Sequence, residues 1–89
     1  MNFIAIIGIV EALIKPKDGE ISTVKIKVEK PFLETSDEEW YDTVEVNLDK
    51  TIFKIELDTM TKGSIVGIKG RIKYAIQGMQ LIGERVQVF

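Results

Sequence analysis

Along residues 22–30, apolar and polar side chains alternate without a break. Val24, Ile26 and Val28 fall on one face, and Lys25, Lys27 and Glu29 on the other. This period-two pattern predicts a strand with one face in a core and one in water. Residues 40–48 repeat it, with Val44, Val46 and Leu48 opposite Tyr41, Thr43, Glu45 and Asn47. Residues 64–74 do so again, setting apolar positions against Lys69, Arg71 and Lys73. Residues 2–13 are rich in Ile and Val and are interrupted by Gly8, which predicts a long strand with a bulge or sharp bend. Residues 79–89 supply a fifth strand.

Between these segments lie turn signals. Lys15-Pro16-Lys17-Asp18-Gly19-Glu20 is a turn cluster, Pro31 ends the second strand before an acidic loop over 32–39, and Gln77-Gly78 marks a short hairpin. The period changes only over 49–61, where Phe53, Leu57 and Met60 sit at helical spacing. Asp49 is placed to cap a helix there and Gly63 to stop it. The β-branched Thr51, Ile52, Ile55 and Thr59 weaken that helix. The order is three strands, a helix and two strands. It predicts an all-β domain with one short helix: a five-stranded OB-fold Greek-key barrel, with the helix between strands three and four plugging one end. No repeat or linker divides the chain, so residues 1–89 are expected to form a single domain.

Composition narrows the function classes. The chain lacks both Cys and His, which removes disulfides, thiolate metal sites and the usual acid–base and thiol catalysts. No phosphate-cradling glycine motif occurs, and the acids Glu34, Asp37, Glu38, Glu39 and Asp42 do not have the spacing of a calcium loop. Neither an enzyme nor a bound cofactor is expected. The apolar start lacks a basic n-region and is soon followed by Glu11 and Lys15, and no apolar run is long enough to span a bilayer. These features point to a cytoplasmic protein without a membrane partner. The net charge of −2 conceals an asymmetry: +1 over 1–32, −7 over 33–61 and +4 over 62–89. A bipolar surface can hold a polyanion on its basic side.

The most specific stretch is Lys62-Gly63-Ser64-Ile65-Val66-Gly67-Ile68-Lys69-Gly70-Arg71. With Leu57 before it, this stretch resembles the Leu-x-x-Lys-Gly-Ser-x-Val-x-Ile/Val-x-Gly-Arg segment of bacterial single-stranded DNA-binding proteins, the SSB family. The opening Met1-Asn2 with Ile7-Gly8, the run Val28-Glu29-Lys30-Pro31-Phe32, Glu39-Trp40-Tyr41 and the closing Val86-Gln87-Val88-Phe89 also resemble that family. The small primosomal replication protein N is a near relative in the same comparison. The resemblance implies an OB-fold that binds single-stranded DNA with little sequence preference, in replication, recombination or repair, in a bacterial or phage-like, nucleoid-associated setting. It also implies a homo-oligomer, a dimer or tetramer pairing through residues 2–9, and contacts with replication proteins. Three departures stand out. Val46 lies where the family often has an aromatic, the hairpin shrinks to about residues 75–78, and the family's acidic tail ending in Pro-Phe has no counterpart up to Phe89.

Single-strand binding needs aromatic faces for bases and cations for phosphates. The resemblance makes Trp40 and Phe32 stacking positions. Strand parity instead places Trp40 inward with Val44 and Val46, in which case Tyr41 takes the exposed position. Phe32 can equally anchor the acidic loop. Tyr74 shares parity with Ile68 and Ile72, which argues for core, although its place near the hairpin allows binding. Phe53 and Phe89 read as core, and Phe3 as core or interface. Lys25, Lys27 and Lys30 on the second strand and Lys69, Arg71 and Lys73 on the fourth are the candidate phosphate contacts. The alternative is a solvated surface, with the acids of 34–45 as neighbours of the fourth-strand row. At the level of function the alternative is an OB-fold subunit of a replication or primosome assembly that binds protein, with weak or no DNA binding.

Overall fold

The computed structural model describes residues 2–16, 18–30 and 39–89. Its elements run β1 (Ile4–Ile14), β2 (Ile21–Glu29), β3 (Tyr41–Asp49), α1 (Lys54–Thr59), β4 (Ile65–Ala75) and β5 (Gly78–Val88). The strands close into a barrel in the order β1-β2-β3-β5-β4. Neighbours are antiparallel except β3 and β5, which run parallel and pair only at Val46 with Leu81 and Asn47 with Ile82. This is the five-stranded OB barrel with a helix between the third and fourth strands, as the alternation predicts.

The alternating apolar residues meet inside. Val10, Val24, Ile26, Val46, Leu48, Val66 and Ile68 are fully buried there, and Phe53, Leu57 and Met60 close one end of the barrel. Each such side chain contributes roughly 1.5–3 kcal/mol by leaving water. The predicted helical spacing of Phe53, Leu57 and Met60 therefore marks the plug.

Several local expectations are corrected. The irregularity in β1 lies between Val10 and Ala12, not at Gly8. The inward side switches there from Val10, opposite Ile26, to Leu13, opposite Val24. Gly8 serves a different need: a Cβ there would collide with the Lys27 carbonyl oxygen and the Ile26 side chain, so β1 and β2 can cross closely only at a glycine. The helix spans six residues, fewer than the 49–61 pattern predicts. Asp49 does not cap it; its Oδ1 accepts the Thr51 and Ile52 amides at 2.8 and 3.0 Å and holds a turn ahead of it. Phe53 is the N-cap and Met60 the C-cap, so Gly63 does not end the helix. Gly63 instead turns the chain into β4 with φ 94°, donating its amide to Val10 O at 2.8 Å.

Phe89, expected in the core, is outside it, and Phe3, expected in the core or at an interface, is exposed. Phe89 is 66% exposed, because it extends past the end of β5 on the outer side, and Phe3 is 68% exposed just before β1. A second irregularity, between Lys69 and Gly70 of β4 and their β5 partners, explains the parity error for Phe89. Gly83 faces inward, Glu84 is the extra residue, and Val86 and Val88 resume the inward row. Phe89 therefore falls outward.

Candidate nucleic-acid interface

The site is built from the limited pairing of β3 with β5. Below Val46 and Leu81 the two strands diverge, opening a groove of about 690 Å³ on the barrel wall. One side is the outward row of β2 and β3, set in register as Thr23 opposite Asn47, Lys25 opposite Glu45 and Lys27 opposite Thr43. The other side is the edge of β5 at Met79, Gln80 and Leu81. The outward row continues to Tyr41, paired with Glu29.

Trp40 stands just before β3 and is 57% exposed. Strand parity does not bury it, because the strand has not yet begun. Its carbonyl accepts the Lys30 amide at 2.8 Å, which ties the entry of β3 to the end of β2. Tyr74 corrects the parity argument for a core residue more sharply, being 81% exposed. The β4–β5 hairpin runs past the barrel, so the side that is interior lower down becomes a free wall at Tyr74, which pairs with Met79. Phe32 lies outside the described residues, as do Pro31 and the acids Glu34, Asp37 and Glu38.

The structure does not bring all the candidate cations together. Lys25, Lys27 and Lys30 belong to the β2–β3 side. Lys69, Arg71 and Lys73 lie on β4, with β5 between them and β3 and with β1 between them and β2. Lys73 pairs with Gln80 and so approaches the groove across one strand. Lys69 pairs with Ala5 and borders an apolar depression lined by Ile7, Gly67 and Phe89. Of the acids within 34–45 expected beside this row, Glu34, Asp37 and Glu38 lie outside the described residues, and Asp42 and Glu45 are found elsewhere. Asp42 and Glu45 face β2, where Lys30–Asp42 and Lys25–Glu45 lie at 3.7 and 3.8 Å. Arg71 instead meets Glu84, the extra residue of β5, at 3.8 Å. The exposed pairs Lys25–Glu45 and Arg71–Glu84 are weak ones. Among the described residues, Lys27 and Lys73 have no acid within ion-pair distance.

Thr23, Asn47, Met79 and Gln80 were not singled out from the sequence. Parity put Asn47 outward, but only the strand register sets it beside Thr23, whose hydroxyl donates to Asn47 Oδ1 at 3.0 Å. Shifted titration is found on α1. The lowered Asp58 and raised Lys54 lie on α1, where their mutual hydrogen bond at 2.8 Å favours both charges. Among the described residues, no group of three or more acids could hold a metal ion, and no helix is long and apolar enough to cross a membrane.

No family model and no curated protein sequence matches this chain. Solved structures do. The chain is similar to the mitochondrial single-stranded DNA-binding protein Rim1 of S. cerevisiae, with TM-score 0.71 and 9% identity, covering 99% of this chain and 93% of that one. It is similar to the N-terminal domain of PriB from Thermoanaerobacter tencongensis, a dimeric structure, with TM-score 0.68 and 16% identity over 99% and 96% of the two chains. It also matches the S. pombe Stn1–Ten1 complex at TM-score 0.68 and 14% identity, where all of this chain spans 59% of that one. Identities this low speak to the fold alone: the chain carries an OB-fold barrel of the kind found in these single-stranded DNA-binding, PriB and Stn1–Ten1 structures.

Proposed function

We propose that residues 1–89 act as one OB domain that binds single-stranded DNA in the β2–β3–β5 groove and turns nothing over. The observation that carries this reading is the groove itself, an opening in the barrel wall lined by Thr23, Lys25, Asn47 and Met79, with the exposed aromatics Trp40 and Tyr41 at the entry of β3 and Tyr74 on the β4–β5 hairpin. Bases stack on Trp40, Tyr41 and Tyr74, each stack contributing about 1–3 kcal/mol and tolerating any base. Lys25, Lys27, Lys30 and Lys73 take phosphates. The fold's likeness to a protein described as single-stranded DNA-binding supports the reading. The role that follows is protection of exposed strands during replication, recombination or repair, inside the cell.

A titration of oligo-dT monitored by Trp40 fluorescence tests it. The expected result is saturable quenching that weakens as salt rises; no change in emission would sink the reading. A second reading has its own observation. Ile7, Ile9, Ile65 and Phe89 form an exposed apolar face on the side of β1, β4 and β5 away from the groove. This face suits contact with protein, and we assign it to a second copy of the chain.

A further inference from the structure

The groove is floored by hydrogen-bonding side chains and not by rings. Thr23, Glu45 and Asn47 come from β2 and β3, and Gln80 faces them from β5. The Thr23 hydroxyl donates to Asn47 Oδ1 at 3.0 Å and holds that amide in place on the floor. The amide N–H groups and the second lone pair of Oδ1 are left for another partner. Glu45 directs Oε1 toward Lys25 Nζ at 3.8 Å, so Oε2 remains an available acceptor.

A carboxylate on the floor of a groove that takes a polyanion repels any phosphate laid over it. The arrangement works when phosphates lie toward the exposed Lys27 and bases point down to the floor. A base pointing down meets a strong acceptor at Glu45 and an amide at Asn47, two residues apart on the same face of β3. An exocyclic amino group next to a ring nitrogen acceptor satisfies both. A keto oxygen in the same place sets acceptor against carboxylate and leaves the floor's hydrogen-bonding groups without a partner on the base.

Resting on the single-strand reading above, we propose that this floor reads one base and prefers cytosine to thymine. Glu45 accepts from the cytosine N4 amino group, and the Asn47 amide, held by Thr23, donates to N3. Acidic side chains accept from cytosine N4 in groove readout generally. Stacking on the aromatics stays indifferent to sequence, so the preference comes from the floor.

The test compares oligo-dC with oligo-dT of equal length at one salt concentration and neutral pH, read by Trp40 fluorescence. Both are pyrimidine strands of equal charge, so stacking and phosphate contacts nearly cancel in the ratio. The expected ratio is on the order of tenfold in favour of dC, from one well-placed hydrogen-bonded contact. Glu45→Gln and Asn47→Ala each bring it close to one, and Thr23→Val lowers it by releasing the amide. Equal dissociation constants for the two strands, with binding intact, overturn the cytosine preference and leave the single-strand reading standing. A ratio unchanged in Glu45→Gln also overturns it. Failure of both strands to bind removes the two readings together.

Discussion

A methyl group on Gly8 would run into the Lys27 carbonyl oxygen and the Ile26 side chain, whereas one on Gly67 would meet the Phe89 ring at an ordinary 3.4 Å. These two glycines share a strand pair, opposite Val66 and Ile7 respectively, yet differ in what they protect. Gly8→Ala must push β1 off β2 and is expected to cost about 2–3 kcal/mol, in the range of core overpacking. Gly67→Ala is expected to stay within about 0.5 kcal/mol, as at an ordinary surface position. Urea unfolding of both variants checks the contrast; similar midpoints would show that the barrel yields at Gly8. The same scale explains why Trp40 and Tyr74 were misjudged by parity. Alternation assigns a side, and the side is interior only where a strand lies against the barrel. Trp40 precedes its strand, and Tyr74 is carried beyond the rim.

At the level of elements, β2 and β4 each present a basic row, and they are not equivalent. The β2 row forms part of the groove, while the β4 row starts at the apolar face near Lys69 and nears the groove only at Lys73. Each lost cation–phosphate contact with a single strand lowers the salt slope by roughly 0.7. Lys25→Ala with Lys27→Ala is therefore expected to flatten the salt dependence of oligo-dT binding clearly. Lys69→Ala with Arg71→Ala is expected to leave the slope nearly unchanged, because Arg71 sits against Glu84 and Lys69 beside Ile7. The reverse ranking would move the binding path to the β4 side. Two periodic rows of cations are plain in the sequence; which of them belongs to the opening between β3 and β5 depends on pairing between residues far apart in the chain.

For the whole molecule, the groove and the apolar face occupy different parts of one barrel, so a second copy can cover the face without closing the groove. Ile7 is opposite Gly67, Ile9 is opposite Ile65, and the Phe89 ring lies over Gly67, which makes the face continuous across β1 and β4. Contiguous apolar surface of this kind is uncommon on monomers. Sedimentation is expected to give a dimer or larger for the native chain and a monomer for Ile7→Asp, with the circular dichroism spectrum retained because Ile7 is 68% exposed. A native monomer at micromolar concentration would reject the assignment of this face to a second copy.

The sequence by itself determined the strand alternation, the core rows of β2, β3 and α1, the helix between the third and fourth strands and hence the OB barrel, because the period of apolar residues is a local property of the chain. Its resemblance to single-stranded DNA-binding proteins pointed to Trp40 and the strand cations on the same local grounds. Only the tertiary structure decided which of those residues share a surface. The bulges at Glu11 and Glu84 reverse the side on which later residues fall, and a shift of one residue moves a side chain from core to solvent. Strand order separates Lys25 from Arg71, and register sets Thr23 against Asn47 on the groove floor.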